Sequence, residues 1–133
     1  MRRAALALAL GAVLAGCGTP PPDLFLVERS GADANADLEL VVSDGGSVHC
    51  NGEEHPLDAE RLLTARRLLR EVEPQAELHL ELPPGPRTNL SYRVEMEKGT
   101  IAFSDTSDGI PQTFQQLAGF TKDVAERVCG IQR

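Results

Sequence analysis

Two hydrophobic periods alternate along residues 23–133, and they constrain the fold more than any other feature of the sequence. Apolar residues at every second position indicate a strand with one buried face, whereas a repeat of three to four residues indicates a helix. Strict alternation is clearest in Leu90–Met96, and a helical repeat is clearest in the segments after Asp58 and after Pro111. We therefore expect a protein that contains both helices and strands.

The alternating segments predict six strands. Polar turn residues, among them Asp44–Ser47 and Lys98-Gly99, separate several of them and are typical of antiparallel hairpins. Asn51-Gly52 is expected to end the third strand. The predicted strands are Asp23–Arg29, Asp37–Ser43, Val48–Cys50, Glu77–Leu82, Leu90–Met96 and Thr100–Ser104.

The helical segments carry recognisable ends. Asp58 is suited to cap the first helix, because its carboxylate can accept a hydrogen bond from a backbone N–H of the first turn. Pro74 is expected to close this helix, since the residue before a proline resists helical geometry. Pro111 suits the start of the second helix, and Gly130 suits its C-terminal cap. The apolar stripes are Leu62, Ala65, Leu69 and Val72, then Phe114, Leu117, Thr121, Val124 and Val128.

This order, β-β-β-α-β-β-β-α, predicts the fold class. A sheet with one apolar face must bury it, and two amphipathic helices on that face provide the cover. We expect an α+β two-layer sandwich, an antiparallel sheet with both helices on one face.

The first seventeen residues have a different character. Arg2 and Arg3 precede an apolar run, Ala4–Ala15, that is too short to span a bilayer as a helix. A charged start, an apolar run and small residues before a fixed position are typical of a secretory signal peptide.

Leu14-Ala15-Gly16-Cys17 resembles the lipobox of bacterial lipoproteins. In that family the cysteine sulfur receives a diacylglyceryl group, the preceding peptide is removed, and the new N-terminus can also be acylated, commonly with palmitate. The length of residues 23–133 is typical of a single domain. The resemblance implies a signal peptide at 1–16 and a lipidated Cys17, followed by a proline-rich tether up to residue 22. It also implies a lipid anchor in the cell membrane that faces the extracytoplasmic side.

If Cys17 carries lipid, two cysteines remain, Cys50 and Cys129. Disulfides persist outside the cytoplasm, so we predict that these two pair. A disulfide across so long a loop stabilises a fold by roughly 4 to 5 kcal/mol in the chain-entropy model. The chain has no Cys-x-x-Cys motif, which leaves little to support a redox role.

Charge and composition exclude some classes of partner. The formal net charge is −7, which disfavours nucleic acids. Aromatic platforms for sugars or bases are also disfavoured, because the chain has no Trp, one Tyr and four Phe.

No catalytic, cofactor or metal signature of useful strength is present, and we expect neither enzymatic activity nor a cofactor. Asp105–Gly109 offers closely spaced oxygens, yet it lacks the alternating ligands of an EF-hand and is better suited to turns. His49, His55 and His79 match no zinc spacing. Four arginines of the first helix are interleaved with glutamates, which favours a solvated face over an anion site: Arg61, Arg66, Arg67 and Arg70.

The segment Pro83–Thr88 is the candidate interaction loop, centred on Pro86, Arg87 and Thr88. Prolines stiffen an exposed loop and reduce the entropy lost on docking. Cys50, then His55-Pro56, a helix and later paired strands resemble the subtilisin inhibitor-like proteins of actinobacteria, which implies that Arg87 could occupy a protease pocket. That family braces its reactive loop with a cysteine, and here none lies near Arg87.

Three further segments resemble small uncharacterised lipoproteins of high-GC bacteria: Val41–Gly46, Phe103–Ser107 and Val128–Gly130. This likeness implies no activity. We therefore expect a membrane-anchored, non-enzymatic binding module whose partners are the bilayer and another envelope protein or a small ligand. A surface protease inhibitor and a small extracytoplasmic enzyme are the alternatives.

Overall fold

The computed structural model describes residues 23–133. The predicted signal peptide, Cys17 and the tether lie outside these residues. The strands are β1 (Asp23–Gly31), β2 (Leu38–Ser43), β3 (Ser47–Cys50), β4 (Glu53–Pro56), β5 (Leu90–Met96) and β6 (Gly99–Ser104). The helices are α1 (Ala59–Glu77) and α2 (Gln112–Asp123), and a π-helical segment, Val124–Val128, follows α2 directly.

The six strands form one sheet in the order β4-β3-β2-β1-β5-β6, and every neighbouring pair is antiparallel. β1 is central and pairs with both β2 and β5. The α+β class and the antiparallel sheet are therefore confirmed. The sheet has six strands as predicted, but four of them precede α1 and two follow it, so the order of strands and helices along the chain differs from the prediction.

One face of the sheet is apolar and forms a single core with both helices. Phe114 and Phe120 of α2 bring their rings to 5.2 Å from Phe103 and 6.1 Å from Phe25. The opposite face of the sheet carries exposed carboxylates, among them Glu28. The sequence predicted this division well, because the alternating apolar residues of β2, β5 and β6 are the buried ones.

Asn51-Gly52 ends the third strand as predicted, but a further strand that was not predicted follows it. Both residues have positive φ, 50° and 86°, and they form the turn of a hairpin that joins β3 to a further strand, β4. An Asn-Gly pair favours this type of two-residue turn. The prediction missed β4 because Glu53–Pro56 contains no alternating apolar residues.

The prediction that Pro74 closes the first helix was wrong, since α1 continues to Glu77. Val72 and Ala76, on either side of Pro74, are both fully buried. Burial of the apolar stripe beyond the proline outweighs the loss of one helical hydrogen bond. In the orientation that satisfies its amide, the Gln75 side chain donates to the carbonyl oxygens of Glu71 and Val72.

The strand predicted at Glu77–Leu82 is also wrong. His79 adopts a φ of 50° after the helix, and only Glu81 forms a bridge, with Ala102 of β6 and in the parallel sense. Leu80 and Leu82 still flank β6, because the Leu82 N–H donates to the Ala102 carbonyl and the Ala102 N–H donates to that of Leu80. The alternation of leucines reflected this short pairing at a sheet edge.

Cys50 and Cys129 lie at disulfide distance, with 6.3 Å between their Cα atoms and a sequence separation of 79. The placement agrees with the predicted pair. The predicted cap is confirmed at Gly130, where φ is 70° and the next N–H, of Ile131, donates to the Ala125 carbonyl. None of the helices within residues 23–133 combines the length and apolar character needed to cross a membrane.

Candidate functional site

The predicted interaction loop ends in a tight turn at Pro86-Arg87. In a type II turn, proline favours the first central position, and the second central position requires a positive φ. Arg87 has a φ of 59°, in a region that glycine or asparagine usually occupies. Its side chain is exposed, so the tip presents an arginine on a backbone that prolines and the turn restrict.

A cluster of hydroxyl groups holds this loop against the end of β6. The Thr88 Oγ1 donates to the Gly85 carbonyl at 3.0 Å and lies 2.8 Å from the Thr106 Oγ1. The Ser107 Oγ lies 3.2 Å from the Ser104 Oγ and accepts the Ser104 N–H. Ser104 and Ser107 are buried. These bonds fix both ends of the turn without a cysteine.

Backbone contacts add to this restraint. The Asn89 N–H donates to the Asp105 carboxylate at 3.1 Å, and the Asp105 N–H donates to the Leu90 carbonyl at 3.0 Å. Gly85 lies so close to Thr106 that a Cβ atom at this position would clash with the Thr106 carbonyl oxygen. Residues 83–89, which we call the Arg87 loop, are thus held to one rigid edge of the sheet.

The Arg87 loop lies at the far end of the sheet from Asp23. β1 begins at Asp23 and ends at Gly31, and Gly31 pairs with Leu90, the residue that follows the loop. A strand of nine residues is about 30 Å long. The beginning of the described chain and the Arg87 loop therefore lie at opposite ends of the central strand.

A second feature, which the sequence did not indicate, is a cleft between α1 and α2. Its volume is about 530 Å³, within the range of small-ligand sites. Two side-chain pairs cross it: the Arg61 Nε donates to the Asp123 carboxylate at 2.7 Å, and the Arg67 Nη1 donates to the Gln116 Oε1 at 3.3 Å. These pairs join residues that are distant in the chain.

Arg61 also contacts Asp58, the residue that caps α1. The Asp58 carboxylate accepts the Arg61 backbone N–H at 3.0 Å and contacts its guanidinium. These two hydrogen bonds, the backbone one first, lower the pKa of Asp58. The hydrogen bonds that the Arg61 guanidinium donates to Asp123, and then to Asp58, raise the pKa of Arg61. The predicted N-cap is confirmed, and the arginine links it to the end of α2.

Arg29 is the charged residue that the sequence analysis missed. It lies on the apolar face of β1 with only 3% of its surface exposed. Its Nε donates to the Ala36 carbonyl at 2.8 Å, and its Nη2 donates to the Asn35 carbonyl at 3.0 Å. Burial lowers the pKa of this guanidinium. Arg29 thus fixes the loop between β1 and β2. The sequence signal that could have revealed its burial is its position in β1, at one of the alternate positions that face the core.

The other residues weighed as candidates in the sequence are the histidines, the segment Asp105–Gly109 and the arginines of α1. Across residues 23–133, no group of three or more His, Cys, Asp or Glu side chains is arranged to hold a metal ion. The His55 Nε2 lies 3.6 Å from Glu53, and the His79 Nδ1 lies 3.5 Å from the Thr100 hydroxyl. Within Asp105–Gly109, the Asp105 carboxylate accepts the Asn89 N–H and so restrains the Arg87 loop. Among the four predicted arginines, Arg66 pairs with Asp44 at 2.6 Å.

The comparisons with known proteins do not extend this description: no family model, curated protein or solved structure matches the chain. The fold and site thus define an α+β domain with a rigid arginine-bearing loop and a polar cleft between its helices.

Proposed function

We propose that this protein is a lipid-anchored, non-enzymatic binding module on the extracytoplasmic side of a membrane, and that the Arg87 loop contacts its partner. The observation that supports the proposal is the left-handed backbone of Arg87 at the exposed tip of a restrained loop. The anchor is the diacylglyceryl group expected on Cys17.

The conformation of Arg87 works against folding. A left-handed residue that is not glycine costs about 1 to 2 kcal/mol. The Arg87 side chain makes no hydrogen bond or ion pair with any other residue of 23–133, so no such contact within these residues offsets the conformational cost. Strained residues that the surroundings hold in place cluster at functional sites. An arginine is also among the side chains most often found at binding hot spots.

The chemistry of the tip indicates the kind of partner. A guanidinium matches the planar geometry of a carboxylate, so an envelope protein with an acidic side chain in a shallow pocket fits best. The lipid on Cys17 would be joined to Asp23 by five tether residues, at the opposite end of β1 from the loop. In this arrangement the Arg87 loop points away from the bilayer, towards other envelope components.

Site-specific crosslinking in living cells tests this proposal. A photoreactive amino acid replaces Arg87 in one variant of the full chain and Arg93 in another; Arg93 is exposed on the carboxylate-bearing face and lies 3.9 Å from Glu28. We expect a discrete crosslinked species from position 87 and none from position 93. Equal products from both positions, or none from either, would contradict the proposal.

The structure gives less support to the protease-inhibitor alternative. Proteases bind the chain around a scissile bond in extended form, and Arg87 lies in a left-handed turn. Titration of trypsin-like and subtilisin-like proteases with the protein tests it. Stoichiometric inhibition that Arg87→Ala abolishes would replace the binding-module proposal with this alternative.

A further inference from the structure

Two polar side-chain pairs bridge the cleft between α1 and α2, one near each end. Arg61 donates a hydrogen bond to Asp123 near one end, and Arg67 donates one to Gln116 near the other. Arg67 lies six positions after Arg61 along α1, which corresponds to about 9 Å. Leu68 and Phe120, both buried, form part of the cleft wall, and Thr64 adds a hydroxyl group.

Gly119 lines the cleft in the interior of α2, and the fold gives no reason for a glycine there. A Cβ atom added at this position would have no neighbour within 4 Å. Glycine in a helix interior is less stable than alanine, because it loses more conformational freedom on folding. A glycine in such a position allows the backbone of another molecule to approach the helix closely.

Opposite charges mark the two ends of the cleft. Glu60 lines it near the Asp58 end, and its carboxylate has no ion pair within residues 23–133. Arg67 lines the other end, where only its Nη1 is engaged by the described residues, through Glu71 at 2.9 Å and Gln116. The Nε and Nη2 of Arg67 are left to donate. Arg67 lies seven positions after Glu60, which corresponds to about 10 Å along the helix.

We propose that this cleft binds a short peptide of about three residues with both termini free. An extended tripeptide is about 10 Å long, so its ammonium group reaches Glu60 while its carboxylate reaches Arg67. Its backbone passes over Gly119, and small side chains lie on Leu68 and Phe120. This site is separate from the Arg87 loop, and the inference does not depend on the membrane anchor or on the binding-module proposal.

Calorimetric titration of the purified full-length protein in detergent tests the site, with tri-alanine as the probe. We expect saturable one-to-one binding. N-acetylation removes the charge that faces Glu60, and C-amidation removes the charge that faces Arg67, so each modification should weaken binding by at least tenfold. Absence of saturable binding, or equal affinity for the doubly blocked peptide, would overturn the proposal.

Gly119→Ala separates binding from folding. The new methyl group should raise the thermal midpoint of the protein, because alanine favours the helix, and should weaken tri-alanine binding by at least tenfold. Gln115→Ala is the matched control, since Gln115 is exposed on the same helix and does not line the cleft. Its affinity should equal that of the wild type. Unchanged affinity in the Gly119→Ala variant would show that the cleft is not a peptide site.

Discussion

Gly85 and Gly119 lie in opposite steric surroundings, and this difference predicts opposite effects of one added methyl group. A methyl group at Gly85 would clash with the Thr106 carbonyl, whereas one at Gly119 meets open space. We expect Gly85→Ala to lower the free energy of unfolding by about 1 to 3 kcal/mol. Gly119→Ala should raise it by about 0.5 to 1 kcal/mol. Urea unfolding curves of both variants provide the measurement, and equal shifts of the same sign would contradict the assignment.

Asp58 predicts an acid-dependent contribution to stability. Its folded pKa is lowered, so the unfolded state takes up the proton first as the pH falls. The contribution is complete above the unfolded pKa, about 3.9, and is lost as the pH falls through the folded pKa. Asp58→Asn keeps an oxygen for the Arg61 N–H but does not titrate. The difference in unfolding free energy between the two proteins should therefore shrink below about pH 4, and a constant difference down to pH 2 would contradict this.

The sequence could identify Arg87 but not the partners of Arg29 and Arg61. Arg87 lies between prolines and turn residues, and such local chemistry is visible in a short window of sequence. Arg61 meets Asp123 only after the two helices pack, and the two residues are 62 positions apart. Charge patterning along α1 suggested a solvated face, since one helix alone cannot show what a second helix places beside it.

Elements were predictable where one local rule acted alone. The alternation in β5 gave the correct inward face, because a period of two residues leaves no other choice. The end of α1 was missed because two rules compete there: proline disfavours the helix, and burial of Ala76 favours its continuation. β4 was missed because its polar residues carry no period, and its pairing with β3 comes from the turn at Asn51-Gly52.

Pro74 inside α1 predicts a stabilising substitution. An interior proline removes a backbone donor and costs about 3 kcal/mol where the helix cannot adjust. Pro74→Ala restores the donor, and the buried stripe on either side already holds the helix. We expect the free energy of unfolding to rise by about 1 to 3 kcal/mol. Pro86→Ala, in the Arg87 loop, is the control and should not rise, because that proline suits its turn. A destabilised Pro74→Ala protein would show that the proline shapes the helix end.

The pair Cys50 and Cys129 joins β3 to the end of the π-helical segment. Their sequence separation is 79, and a cross-link that closes a loop of this length contributes about 4 to 5 kcal/mol. The double variant Cys50→Ala/Cys129→Ala should lose stability by up to this amount, measured by urea unfolding. Non-reducing peptide mapping should link the two cysteines in the wild type. Two free thiols in protein purified without reductant would contradict the pairing.

At the scale of the whole molecule, the two faces of the sheet differ in kind. One lies under the helices, and the other carries exposed Glu28, Glu39 and Glu95. The chain has a net charge of −7, and the domain, which lacks Arg2 and Arg3, is more acidic still, so anionic headgroups repel it within about 8 to 10 Å. Electrostatics alone therefore gives no affinity for a bilayer, and stable membrane attachment requires the covalent lipid that the lipobox resemblance implies.

Substitution of Cys17 tests this requirement. A single acyl chain binds a bilayer only marginally, and two or three chains hold a protein firmly. We expect the wild type to sediment with membranes after washing with high salt, with an intact mass that includes acyl groups. Cys17→Ser should lack both properties and retain residues 1–16, because the lipid precedes cleavage in lipoproteins. Cys50→Ala/Cys129→Ala is the control and should stay lipidated, since the two cysteines that it replaces lie in the folded domain and Cys17 is kept.

A Cys17→Ser protein that still sediments after the same wash would show that another feature holds the chain to the membrane. The orientation proposed for the Arg87 loop would then lose its basis.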